Sequence, residues 1–144
     1  MARHRYVVCD VFTDVPLAGN QLAVFTDARE IPEAQLQLLA RETKLSETVF
    51  VYPPEAGGHV RVRIFTPGAE LPFAGHPILG TAFVLGGPLQ LVEIRLETQA
   101  AQRTGLAIWS ISAWRISAAL VRTAPETLAA SGISGSLQLR PSMK

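Results

Sequence analysis

Three polar residues stand where this chain could pass a proton: Glu47, His76 and Asn20. Glu47 opens the run Glu47-Thr-Val-Phe-Val-Tyr52, in which a period of two puts Glu47, Val49 and Val51 on one face. A carboxylate at the rim of an apolar surface loses water, which disfavours its charged form and suits a base working near neutrality. An ordinary surface glutamate at a strand end fits the same local pattern and is the commoner case. His76 ends the segment Phe65-Thr-Pro-Gly-Ala-Glu-Leu-Pro-Phe-Ala-Gly-His-Pro77, which joins an alternating strand to a wholly apolar helix. Amides at such a helix N-terminus, aligned with its dipole, suit a carboxylate or phosphate. His76 could donate to that anion or relay a proton; it could also bond a loop carbonyl. Gly75 beside it lets a ligand approach the backbone, which favours the functional role. No Gly-Lys-Ser/Thr follows, so the match to a nucleotide phosphate loop is poor. Asn20, after Gly19, could orient a polar ligand or close a turn.

Weaker candidates surround these. Asp10 interrupts an apolar strand and is expected to bond loop backbone. Glu70 is expected to tie down the loop from Pro67 to Pro72. Cys9 alternates within a strand and reads as a small buried hydrophobe. His4 and His59 lie at strand starts and are expected to face solvent. Arg61 and Arg63 read as one solvated strand face. No pair of His, Cys or carboxylates has metal-ligand spacing, so no metal is expected.

The elements that must hold these residues alternate between strand and helix. Tyr6–Phe12, Leu22–Thr26, Thr48–Tyr52, His59–Thr66 and Val92–Thr98 carry β-branched or alternating patterns. Thr48–Tyr52 and His59–Thr66 should pair as an antiparallel hairpin. Pro32 opens a helix to Thr43, with Leu36, Leu39 and Ala40 as its apolar stripe. Gly75–Leu85 forms a second helix with no charged residue, so it should be buried all round. The fold expected is therefore α+β: a strongly curved, mostly antiparallel sheet wrapped around a central apolar helix, with the first helix packed outside.

Bulk properties narrow the function. The chain has 144 residues, 48% of them hydrophobic, enough for one domain with a modest core. A formal charge of +1 argues against a dedicated nucleic-acid or anionic-membrane partner. The single cysteine excludes an intrachain disulfide and suits a reducing cytoplasm. No secretory signal is visible, and no apolar stretch reads as a membrane span. The composition shifts near residue 100. The first 100 residues hold one serine, Ser46, and the rest hold seven. Leu106–Val121 could form a helix of poor period, and Ala129–Lys144 reads as a frayed end.

Four segments resemble the PhzF family of phenazine-biosynthesis-like proteins, which share the diaminopimelate epimerase fold. They are Asp10-Val-Phe-Thr with Pro16–Val24, Leu45-Ser-Glu-Thr-Val-Phe50, Phe65-Thr-Pro, and Glu70–Pro77 with Leu79-Gly80. The resemblance covers roughly residues 5–98, in the expected order and spacing. It implies a diaminopimelate epimerase-like lobe over 1–98, with 99–144 as an atypical tail. It also implies that Glu47 is the catalytic proton carrier, that His76 sits in the site, and that Asn20 and the Gly75–His76 backbone hold polar substrate groups. The implied reaction is isomerisation of a small carboxylated metabolite, without metal or organic cofactor. The best-known example is isomerisation of trans-2,3-dihydro-3-hydroxyanthranilate.

The chain departs from the family pattern. Members are about twice as long and built as two similar halves around one cleft, and the aspartate supplied by the second half has no counterpart here. Gln21 stands where proline is frequent, and Ile78 where threonine is common. The tail has the composition that a shifted reading frame in a GC-rich gene would give. Two readings follow: an isomerase impaired by loss of the second lobe, or an inactive half-enzyme that binds ligand or self-associates, for example as a homodimer.

Overall fold

A computed structural model describes residues 3–13, 15, 17–86, 88–91, 93–100, 109–112, 120–123, 127–129 and 138–139, with side chains up to residue 100. Ten strands and two helices follow in the order β1 (Arg3–Val11), β2 (Asn20–Phe25), α1 (Glu33–Thr43), β3 (Glu47–Tyr52), β4 (Val60–Phe65), β5 (Glu70–Leu71), α2 (Gly75–Gly86), β6 (Glu93–Glu97), β7 (Trp109–Ser112), β8 (Leu120–Thr123), β9 (Thr127–Ala129) and β10 (Gln138–Leu139). The strands make one sheet in the order β10-β8-β1-β2-β3-β4-β6-β7, with β5 added to β4 and β9 to β1. The β3–β4 hairpin is antiparallel, with Val51 opposite Val62. Two neighbours, β2–β3 and β4–β6, are parallel.

Those two parallel pairs dictate where the helices lie. Each needs a crossover, and α1 and α2 supply them. Because β4 runs opposite to β3, two right-handed crossovers advancing the same way along the sheet must use opposite faces. The apolar residues divide accordingly. Cys9, Val11, Leu22, Val24, Val49, Val51, Val62 and Ile64 pack on one face with Ile78, Ala82 and Val84 of α2. Phe25, Phe50 and Phe65 pack on the other with Leu36 and Ala40 of α1. The three rings stack and abut, at 4.9 Å between Phe25 and Phe50 and 5.4 Å between Phe50 and Phe65.

α2 lies very close to the sheet. A Cβ at Gly80 would stand 2.6 Å from Leu22 Cδ2 and 2.8 Å from Val11 Cγ2, so only a residue without a side chain fits. α1 is fastened by its polar edge. Gln37 Nε2 donates to the Thr66 and Pro67 carbonyls, and Arg41 Nε donates to Pro67 O.

Several sequence expectations change. Trp109–Ser112 and Leu120–Thr123 are strands rather than parts of a helix; they pair with β6 and β1, whose open edges offer unpaired backbone groups. The rest of Leu106–Val121, and most of Ala129–Lys144, lie outside the described residues. His4 is buried rather than solvent-facing, because β9 runs along that end of β1. Arg61 and Arg63 do not form a solvated face. Arg63 is clamped between Glu33 of α1 and Glu70 of β5, and Arg61 Nε reaches Glu55 at 3.0 Å. Glu70 ties its own loop down, through β5, to Arg63 of β4 and to Gln99. Among the described residues, no helix is long and apolar enough to cross a membrane.

Candidate active site

The period of β3 decides where Glu47 points. Val49 and Val51 face α2 and Phe50 faces α1, so Glu47 also faces α2. It begins β3, beside Leu22 in the parallel register, and this end of the sheet meets the first turn of α2. There Glu47 Oε2 lies 3.5 Å from His76 Nδ1, and both side chains are largely buried, 18% and 10% exposed. Neither Glu47 Oε2 nor His76 Nε2 has a hydrogen-bond partner among the described residues. Two buried polar atoms left bare at a helix N-terminus are costly unless something else engages them.

Asn20 joins the pair from β2. Its Nδ2 stands 3.3 Å from His76 Nδ1, and its Oδ1 accepts from the Ser46 hydroxyl at 3.0 Å. Ser46 Oγ also lies 3.2 Å from the Gln21 carbonyl. Burial pushes the His76 pKa below its ordinary value; the Glu47 charge and the Gln21 backbone oppose the shift without cancelling it. A neutral imidazole is therefore the ring's state at neutral pH, free to accept a proton.

Gly75 borders open space: a Cβ there would meet no atom within 4 Å. Pro77 brings no N–H, and Ile78 N donates to Ala74 O at 3.3 Å. The Gly75 and His76 amides precede the helical ladder, as first-turn amides do. The Phe12 ring sits 6.3 Å from the His76 ring and is 64% exposed, with Val15 and Leu17 exposed nearby in the chain. Phe12 and Leu17 both have positive φ, 65° and 69°. Leu17 N donates to Asp10 Oδ2 at 3.1 Å, so Asp10 does hold loop backbone, in the segment that carries Phe12 past the histidine.

The structure thus brings together Glu47, His76, Asn20 and Gly75. It adds Ser46 and Phe12, which the sequence did not mark. Ser46 was legible only as the single serine before residue 100, next to Glu47. Cys9 lies behind the site, fully buried; burial first, and the Asp10 charge second, push its pKa up to about 12, so it holds its proton. Among the described residues, no three His, Cys, Asp or Glu side chains are placed to hold a metal.

A sequence profile described as phenazine biosynthesis-like protein, PhzC-PhzF, matches residues 9–112. The chain belongs to the PhzC-PhzF family. The trans-2,3-dihydro-3-hydroxyanthranilate isomerase of Pseudomonas fluorescens is 55% identical over 96 residues, 67% of this chain and 34% of that protein. Its namesake in Pseudomonas aeruginosa is 51% identical over the same length and shares. The chain spans about a third of the length of these curated relatives. The crystal structure of the Bacillus anthracis phenazine biosynthesis protein of the PhzF family matches with TM-score 0.69 at 27% identity, over 86% of this chain and 41% of that one. A PhzF-family protein of Enterococcus faecalis matches with TM-score 0.61 at 28% identity, over 85% and 40%. The curved α+β fold is therefore the PhzF fold, and the two Pseudomonas relatives carry an isomerase name.

Proposed function

We propose that this chain carries the proton-transfer side of a PhzF-type isomerase acting on a small carboxylated metabolite. The observation that supports it most is the approach of Glu47 Oε2 to His76 Nδ1, between two largely buried side chains, at the first turn of α2. In this reading the Glu47 carboxylate removes a proton from a substrate carbon next to an unsaturated group. The C–H electron pair enters the substrate π system. The Glu47 carboxyl, whose proton exchanges with solvent in the interval, then returns a proton to another carbon, so atoms and charge balance over the cycle and side chains alone carry the step. The Gly75 and His76 amides receive the substrate carboxylate, since they add backbone donors to the positive end of a helix dipole. Asn20 orients a polar substituent through His76.

The test is solvent deuterium exchange with trans-2,3-dihydro-3-hydroxyanthranilate, the compound named for the two Pseudomonas relatives. Deuterium incorporation by the wild type, lost in Glu47→Gln, is expected. No incorporation by the wild type would remove the reading for that substrate.

A second reading has its own support. Phe12, Val15 and Leu17 are exposed apolar residues, and the Phe12 ring lies 6.3 Å from the His76 ring. The chain would then be an inactive module that binds the carboxylate and self-associates through this patch. Light scattering separates the two: a monomer at all concentrations, unaltered by Phe12→Ser with Leu17→Ser, counts against self-association.

A further inference from the structure

We propose that Phe12 is a substrate-binding residue: the exposed part of its ring receives the flat, unsaturated part of a ligand whose carboxylate lies at the Gly75 and His76 amides. This rests on the reading of that helix start as the carboxylate site, and not on the proton transfer. Phe12 is a large apolar side chain, yet it is 64% exposed, and its φ of 65° is one that glycine adopts freely and a bulky residue only at a cost. A single exposed aromatic ring is ordinary. This one is held in a costly backbone conformation beside His76, whose buried Nε2 has no partner among the described residues. Backbone strain of that kind collects where a ligand is held.

The loop from β1 to β2 is built to keep that pose. Asp10 Oδ2 accepts from Leu17 N at 3.1 Å, and Thr13 Oγ1 accepts from Val15 N at 3.0 Å. Gly19 closes the loop. A Cβ there would stand 2.5 Å from Thr13 Cγ2 and 2.7 Å from the Val11 carbonyl oxygen, so no side chain fits. Phe12 is thus held from both flanks, with its ring 6.3 Å from that of His76 and the two planes 54° apart. A flat molecule sandwiched by two parallel rings needs about 7 Å between them, two contacts of ~3.5 Å. The gap is too narrow and too tilted, so the ligand lies alongside the rings rather than between them. Its carboxylate reaches Gly75, where a Cβ would meet no atom within 4 Å, and its π face meets the outer part of Phe12. Offset and edge-to-face contacts are the ones that aromatic pairs favour. The unsaturated group that makes the substrate proton acidic is also the flat group that such a ring can hold.

The test titrates the 15N-labelled full chain with benzoate and with acetate, and follows the backbone amide signals of Gly75 and His76. The wild type is expected to bind benzoate more tightly than acetate. Phe12→Ala and Phe12→Asn should weaken benzoate about 2- to 10-fold, the worth of one aromatic contact, and leave acetate unchanged. Asparagine tolerates the positive φ, so that variant removes the ring without adding strain. Phe12→Tyr should keep the preference. Leu38→Ala, which trims an exposed apolar side chain on α1, should change neither affinity. Equal losses for the two probes, no loss at all, or benzoate that moves neither amide overturns the proposal. So does a benzoate response confined to protein concentrations at which light scattering shows a dimer, because the ring then belongs to a contact between copies. A urea midpoint that falls in both Phe12→Ala and Phe12→Asn as far as in a core truncation would show that the ring is kept for stability, and overturns it as well. The titrations need no turnover. A silent deuterium-exchange assay with the benzoate preference intact removes the proton-transfer reading and leaves this one. Active exchange with benzoate affinity unaltered in Phe12→Ala removes this one alone.

Discussion

Glu47 and His76 start different elements, β3 and α2, yet their Oε2 and Nδ1 atoms meet at 3.5 Å. Because β4 runs antiparallel to β3, the chain leaving β4 begins α2 at the end of the sheet where β3 starts, and α2 crosses over on the face to which Glu47 points. The pair's role in exchange is separable by substitution. Glu47→Gln keeps size and removes basicity, so solvent exchange into the substrate should fall by about 10²–10⁴-fold, the usual worth of a positioned acid or base. His76→Asn should lower the rate and weaken carboxylate binding together. A Glu47→Gln protein that exchanges at the wild-type rate would show the base to lie elsewhere.

The burial of His76 should be visible in stability as well as rate. Its folded pKa is held below the ordinary value by burial, so the unfolded ring binds a proton first as pH falls. Stability is then highest above about pH 6.5, where neither state is protonated, and declines from there as pH drops toward the folded pKa. Urea midpoints of wild type and His76→Asn over this window provide the check. The variant should lack this part of the decline; parallel curves would show that the ring makes no such contribution.

The close seat of α2 gives a packing prediction. Gly80→Ala places a methyl 2.6 Å from Leu22 Cδ2 and 2.8 Å from Val11 Cγ2, with Cys9 Sγ 3.3 Å away. None of the three can retreat freely, since all are fully buried. Overpacking of this kind costs about 1–3 kcal/mol. Leu22→Ala in the same chain should recover part of the loss. Additive destabilisation by the two changes, measured by urea titration, would argue that α2 shifts away instead.

The residues of β3 and β4 announced their faces, because period-two alternation survives wherever one face is buried. α2 follows this only in part: its lack of charge marked burial, and Ile78, Ala82 and Val84 are buried, but Leu79, Phe83 and Leu85 stay partly exposed, so it is not buried on every side. Glu47 followed from that alternation and His76 from the helix start, though their contact depends on which strands are parallel, and no local pattern carries that. Ser46 stayed hidden for the same reason: its partner Asn20 lies on another strand, and register alone brings them together. Arg61 and Arg63 misled because an alternating charged face looks solvated in one dimension. The acids that cover it come from α1, β5 and the turn after β3. β7 and β8 were illegible as strands because their pattern is weak and an unpaired sheet edge supplies the missing preference.

Glu97 provides the last prediction, and it concerns the turn from Pro53 to Gly58. This carboxylate is fully buried, an arrangement that would be costly if unmet. Burial alone would raise its pKa, but the amides of Glu55, Gly58 and Ala56 outweigh that and hold it below the ordinary value. All three bonds are 2.7 Å long; Oε2 takes Glu55, and Oε1 takes Ala56 and Gly58. Glu97→Gln keeps the volume, and its carbonyl can serve two of the amides. Its NH2 group must then face the third N–H, donor against donor. The loss should be about 1.5–3 kcal/mol, the range for hydrogen bonds to a charged group. Because the folded pKa is lowered, the wild-type advantage is present above the unfolded value, about 4.5, and disappears as pH falls below it. Urea midpoints should therefore separate wild type from Glu97→Gln at neutral pH and converge in acid. A gap that stays constant down to strong acid would mean that packing, rather than the charge, holds this turn.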